Sequence, residues 1–111
     1  MDNYEVFWSH EAIYDLADIS EYIEFEFGIE RADKFNVDIN REGEILGKSF
    51  KLYTGTGIYY REHLIIMKPF SPSIIFYFVD EKAERVYIIR VLRHERDWQK
   101  LLRENISYTF D

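Results

Sequence analysis

The chain of 111 residues has no cysteine. That excludes a disulfide scaffold, a thiolate nucleophile and any zinc site with cysteine ligands. It fits a reducing cytoplasm, the compartment expected for it. No apolar run approaches the ~18 residues that span a bilayer, so no membrane partner is expected. The first residues include Asp2 and Glu5 and no basic leader, so no secretion signal is expected either. Positive charge is also short. Fourteen Lys and Arg against 21 Asp and Glu leave a net charge of −7, which argues against a surface that grips a phosphate backbone throughout. Repeats, linkers and low-complexity stretches are missing as well. Apolar and aromatic residues are plentiful, at 47% hydrophobic and 18% aromatic. That is enough for one real core, so the chain reads as a single folded domain over residues 1–111.

The charge is uneven. Residues 1–54 hold 13 acidic and 5 basic side chains, and residues 55–111 hold 8 and 9. Within residues 85–103, Arg85, Arg90, Arg93, Arg96, Lys100 and Arg103 face only Glu95 and Asp97. An acidic front half therefore precedes a basic stretch near the end.

Periodicity organises the rest. Residues 4–8 alternate and are rich in β-formers, which predicts a short strand. Ser9 is a good N-cap, and Ile13, Leu16, Ser20, Ile23 and Phe27 give a 3-4-3-4 stripe, with Ala12, Ala17 and Ile19 beside it. This predicts a helix with one buried face, ended by Gly28. A second helix follows on Ala32, Phe35, Ile39, Leu46 and Phe50, with Gly43 and Gly47 weakening it. Two long helices joined by so short a break must fold into an antiparallel hairpin. Residues 54–57 (Thr-Gly-Thr-Gly) read as a loop, 58–67 as one strand, and 68–73, with both prolines, as a turn. Residues 74–79 read as a central strand, 80–84 as a charged hairpin loop and 85–92 as another strand. A short helix carries Trp98, Leu101 and Leu102, and residues 105–111 read as coil. The expected fold class is α+β: a small β-α-α-β-β-β domain, with the helical hairpin packed on one face of a mostly antiparallel sheet and a short C-terminal helix.

Sequence motifs for phosphate loops, dinucleotide turns and zinc peptidases are absent. His10, His63 and His94 lack ligand spacing, so no metal and no cofactor is expected. The densest polar cluster is Arg90, Arg93, His94, Arg96, Asp97 and Trp98, where a strand gives way to a helix. Guanidinium groups there, joined by Arg61 from a neighbouring strand, form a candidate phosphate or carboxylate site. The plainer alternative has Arg90 and Arg96 solvated or paired with Glu62 and Asp97, Asp97 capping the last helix and Trp98 anchoring it. Tyr77 reads either as a stacking platform or as a core tyrosine. The acidic residues of the first helix, Glu11, Asp15, Asp18, Glu21 and Glu24, read as a solvated face or as a docking surface for a basic segment.

The residues Tyr4-Glu5-Val6-Phe7-Trp8-Ser9-x-Glu11-Ala12, then Asp15-Leu16-x-x-Ile19-x-x-Tyr22-Ile23, resemble the opening of the ParE toxins of the RelE/ParE superfamily. Ala32-x-x-Phe35-x-x-x-Ile39, Tyr60-Arg61-Glu62, residues 75–80 and residues 90–98 continue the resemblance across nearly the whole chain. One departure stands out. The family usually has histidine after Arg-Val-Leu, whereas here Arg93 stands there and His94 follows. A slip of one residue turns a side chain to the other face of a strand, and arginine is no base near neutral pH.

The resemblance implies the toxin of a type II toxin–antitoxin pair, linked to growth arrest and plasmid stabilisation, with a ParD-like antitoxin and higher-order toxin–antitoxin complexes. It implies two targets, DNA gyrase or the ribosome with its mRNA. The gyrase reading is favoured. The alternatives are a ribosome-dependent mRNA endoribonuclease of RelE type and a non-toxic antitoxin-binding remnant. Whether the chain is an enzyme stays open; as a nuclease it would use Arg61, Arg90, Arg93 and His94. Expected target contacts are Tyr77, Arg90, Arg93, Arg96, Asp97 and Trp98. Expected antitoxin contacts are Ile13, Leu16, Tyr22, Phe35 and Ile39.

Overall fold

A computed structural model describes residues 3–104 and 106–110. The chain runs β1 (Glu5–Trp8), α1 (His10–Phe27), α2 (Ile29–Ser49), a 3₁₀ turn (Phe50–Leu52), β2 (Thr54–Tyr60), β3 (His63–Phe70), β4 (Ser73–Asp80), β5 (Arg85–Arg93) and α3 (Trp98–Arg103). One five-stranded sheet has the order β1-β5-β4-β3-β2. β1 runs parallel to β5, and the other pairs are antiparallel. The expected α+β class therefore stands, with the helical hairpin on one face of a mostly antiparallel sheet.

Ser9 starts α1 and also fastens it. Its hydroxyl accepts the Ala12 N–H at 2.9 Å and donates to the Ile89 carbonyl at 2.7 Å. Gly28 takes φ 96°, which an L side chain resists, and so divides the two helices with a single residue. Gly43 and Gly47 do more than weaken α2. A Cβ at 43 would run into the Trp8 ring, and one at 47 into the Tyr4 carbonyl. Their bareness lets β1 lie directly against the helix, where the Tyr4 N–H donates to the Gly47 carbonyl at 2.8 Å.

Three details depart from the sequence reading. The stretch 58–67 is two strands: Tyr60 pairs with His63 across a tight turn in which Arg61 has φ 56°. Residues 54–57 are strand rather than loop. The register shift there is filled by Thr56, whose hydroxyl accepts the Ile58 N–H at 3.0 Å and donates to the Ile65 carbonyl at 2.8 Å. Residues 68–70 extend β3. Pro69 is tolerated because β3 has by then run past its last pair with β2, Thr54↔Met67.

The helix-facing core joins Ala12, Ile19, Ile23, Phe35, Ile39 and Leu46 to Ile75, Tyr77, Val86, Ile88 and Val91. The opposite sheet face carries Ile58, Ile65, Ile74, Phe76, Phe78 and Ile89 under Leu102 of α3 and Tyr108 of the tail. β4 is thus buried on both faces from Ser73 to Phe78, as a continuous apolar run requires. The described part of the tail, residues 106–110, is coil. It is tied down where Glu11 accepts the Thr109 N–H at 2.9 Å and the Tyr60 hydroxyl accepts the Tyr108 N–H at 3.1 Å.

Candidate functional site

β1 ends beside Ile88, so the last part of β5 has no strand neighbour on that side. α1 takes its place. Ser9 reaches the Ile89 carbonyl, and the Asp15 carboxylate accepts the Val91 N–H at 3.0 Å. The register of β4 and β5 shifts between Phe76 and Tyr77, opposite Arg90 and Ile88. From this irregularity Arg90 donates to Asp15 through Nε at 2.7 Å and Nη2 at 2.9 Å. Both side chains are nearly enclosed, at 14% and 11% exposure. Burial pushes the Asp15 carboxyl up, while the Arg90 and Val91 bonds oppose that rise. The Asp15 bond in turn holds Arg90 above its ordinary value. A guanidinium does not deprotonate in a protein, so Arg90 keeps its charge beside Asp15.

Asp15 therefore corrects the expectation of a solvated acidic face. The buried positions of α1 are Ala12, Asp15, Ile19 and Ile23, a turn of the stripe by one residue. Ile13 is 50% exposed and Phe27 56%. The signal available was the 12-15-19-23 spacing, which places a carboxylate among apolar residues.

The expected convergence of arginines does not form. Tyr60 pairs with His63 near the end of the sheet where Asp80 faces Arg85, whereas Phe70, Ser73 and Arg93 share the row at the other end. Arg61 lies at the first end, over the Tyr60 ring at 5.0 Å. Tyr77 is fully buried on the helix side, and its hydroxyl donates to the Phe50 carbonyl at 2.7 Å. Burial pushes its phenol well above the usual range. It offers no ring face to a base, so its expected target contact is not available in this fold. Phe35 and Ile39 face inward, at 8% and 0% exposure. They belong to the core and not to the outer surface of the hairpin, which overturns their expected place as antitoxin contacts.

The remaining candidates sit where the local pattern indicated. Asp97 caps α3, accepting the Lys100 N–H at 3.2 Å, and Trp98 packs on Phe76 with ring centres 5.2 Å apart. His94 is exposed in the turn after β5, and its backbone N–H donates to the Pro72 carbonyl at 3.0 Å. Arg93 lies over the Tyr22 ring at 4.0 Å and pairs with Glu95. Arg93, Arg96, Tyr22, Asp18 and Asp15 line a cleft of about 130 Å³ between α1 and the end of β5. On the outer side of the hairpin, Trp8, Ile13, Leu16 and Ala17 form the apolar floor of a groove of about 590 Å³, with Glu21 and Glu24 at its rim and no cation among its lining residues. Tyr22, 43% exposed, lies between cleft and hairpin surface. The sequence alone did not point to Trp8, a strand residue that joins this groove only through the fold.

Among the described residues no cluster of three or more His, Cys, Asp or Glu is arranged to hold a metal ion, and no helix is long and apolar enough to cross a membrane.

No curated protein matches the chain. The chain is similar in fold to a solved protein described as the chromosomal ParDE TA system from P. aeruginosa, with a TM-score of 0.67, 20% identity, and coverage of 84% of this chain and 98% of that one. Residues 6–98 match the family model described as ParE toxin of type II toxin–antitoxin system, parDE. That match runs from inside β1 through α1, α2 and β2 to β5 and ends at the first residue of α3, and the chain accordingly belongs to the ParE toxin family of type II toxin–antitoxin systems.

Proposed function

We propose that this toxin acts on DNA gyrase and not as a ribosome-dependent nuclease, and that an antitoxin of ParD type neutralises it by covering the outer groove of the helical hairpin. The observation that carries the target reading is the commitment of Arg90 to Asp15. Cleavage at a 2′-hydroxyl needs a base within hydrogen-bond reach and free cations on the phosphate. Here Arg90 is bound on two nitrogens by a carboxylate, Arg61 is at the far end of the sheet, and Arg93 replaces a titratable group with one that holds its proton. A surface of net charge −7 also disfavours docking on ribosomal RNA.

The antitoxin reading rests on the groove. An apolar floor with a carboxylate rim suits the apolar face of an amphipathic helix flanked by basic residues. The target is tested by supercoiling with purified gyrase at rising toxin concentration, beside toeprinting on a programmed ribosome. Inhibition of supercoiling with no cut in the mRNA is expected. Unimpaired supercoiling in excess toxin, or a cut in the A-site codon, overturns the target reading.

A further inference from the structure

The cleft at the end of β5 contains two guanidinium groups that the Asp15–Arg90 pair does not use. Arg93 lies over the Tyr22 ring at 4.0 Å, its side chain only 25% exposed. A cation on an aromatic face with limited freedom is set in place before any ligand arrives. Its carboxylate partner is the opposite: Glu95, two residues on, sits in a turn with 59% of its side chain exposed. The cation is largely covered and its carboxylate partner is largely in solvent. Arg96 lines the same cleft and is itself exposed.

We propose that this cleft receives one carboxylate from an acidic side chain of a protein partner, in exchange for Glu95. A planar carboxylate matches the guanidinium fork, and a space of about 130 Å³ takes one small group. The neighbouring charge decides against a phosphate chain. Asp18 lines the cleft, and Glu21 and Glu24 line the adjoining hollow along α1. A run of phosphates would meet all three, whereas a single carboxylate reaches Arg93 and Arg96 with only Asp18 beside it. This inference does not depend on which target the toxin strikes, because it concerns binding to the isolated protein.

The test titrates propionate into the protein while the Arg93 and Arg96 side-chain Nε–H resonances are followed by NMR. Inorganic phosphate and chloride are titrated in parallel at constant ionic strength. Propionate is expected to move both resonances saturably and chloride to move neither. Glu95→Gln, which removes the internal competitor, is expected to tighten propionate binding several-fold. Arg93→Lys, which keeps the charge but not the fork, is expected to weaken it several-fold at Arg96, with an unchanged thermal melt showing the fold intact. A linear, chloride-like response to propionate overturns the proposal, as does an unchanged affinity in Glu95→Gln. Saturation by phosphate at lower concentration than propionate overturns the carboxylate assignment and gives the cleft to a phosphoryl group.

Discussion

Asp15 and Arg90, 75 residues apart, join the first helix to the last strand through two hydrogen bonds of 2.7 and 2.9 Å. The same carboxylate satisfies the Val91 N–H on the side where β1 has already ended. One side chain therefore does the work of a missing strand residue and of a counter-ion. Removing either partner leaves a buried charge alone, and such losses run to about 3–5 kcal/mol. Asp15→Ala and Arg90→Ala are each expected to lower stability by about that much in urea denaturation. The double variant Asp15→Ala with Arg90→Ala is expected to lose well under the sum of the two single losses, since it removes both charges together. Additive losses would mean that the two groups do not act as a pair.

The glycines of α2 make a graded prediction. Gly43→Ala would meet the Trp8 ring, a side chain that lines the groove, whereas Gly47→Ala would meet the Tyr4 backbone carbonyl. Both substitutions favour the isolated helix by about 1 kcal/mol, and overpacking opposes that by about 1–3 kcal/mol. Gly47→Ala is expected to be the more destabilising of the two by thermal melting. The reverse order would show that β1 yields more easily than the indole.

Much of this architecture was legible in the chain. The 3-4 spacing announces two helices, and the unbroken apolar run at 74–79 announces a strand covered on both faces. Local chemistry also placed the Asp97 cap and the Trp98 anchor. What escaped was decided over long distances. The phase of α1 depends on Asp15 finding Arg90, and residue type ranks a carboxylate as outward-facing although its spacing sets it on the apolar stripe. The β2–β3 turn escaped because Arg61 and Glu62 carry no turn signature, and the φ of 56° at Arg61 is an unusual demand on a side-chain-bearing residue. Gathering four arginines at one site failed for the same reason, since the unseen turn sends Arg61 to the far end of the sheet.

Acid should loosen the tail. Slight burial tends to raise the Glu11 carboxyl, but the bonds from the Thr109 N–H and hydroxyl outweigh it and hold the group below its ordinary value. A carboxylate lowered on folding adds stability above its unfolded pKa, about 4.3 for glutamate, and that share is lost as pH falls through the lower folded value. Amide exchange at Thr109, corrected for intrinsic rate, is expected to lose protection across that acid window in the native chain. Glu11→Gln should lack this pH-dependent step. A step that persists in the variant would place the titration elsewhere.

The two residues that separate groove from core are Ile13 and Ile39. Both fall on helical apolar spacings, yet Ile13 is 50% exposed in the outer groove and Ile39 is 0% exposed in the helix-facing core. Truncation of a buried isoleucine leaves a cavity and lowers stability by about 2–5 kcal/mol, so Ile39→Ala is expected to lower the denaturation midpoint sharply. Ile13→Ala is expected to leave that midpoint nearly unchanged, because it removes a side chain already half in water. At the proposed antitoxin groove the order is expected to reverse. An apolar contact in the floor of the groove is worth about 1–2 kcal/mol when a partner covers it, so Ile13→Ala should weaken antitoxin binding roughly 5- to 30-fold by calorimetry. Ile39→Ala, measured well below its own melting point, should bind nearly as the native chain does. Equal binding losses in the two variants would mean that the partner reads the packing of the hairpin and not its outer surface, and would remove the groove as its seat.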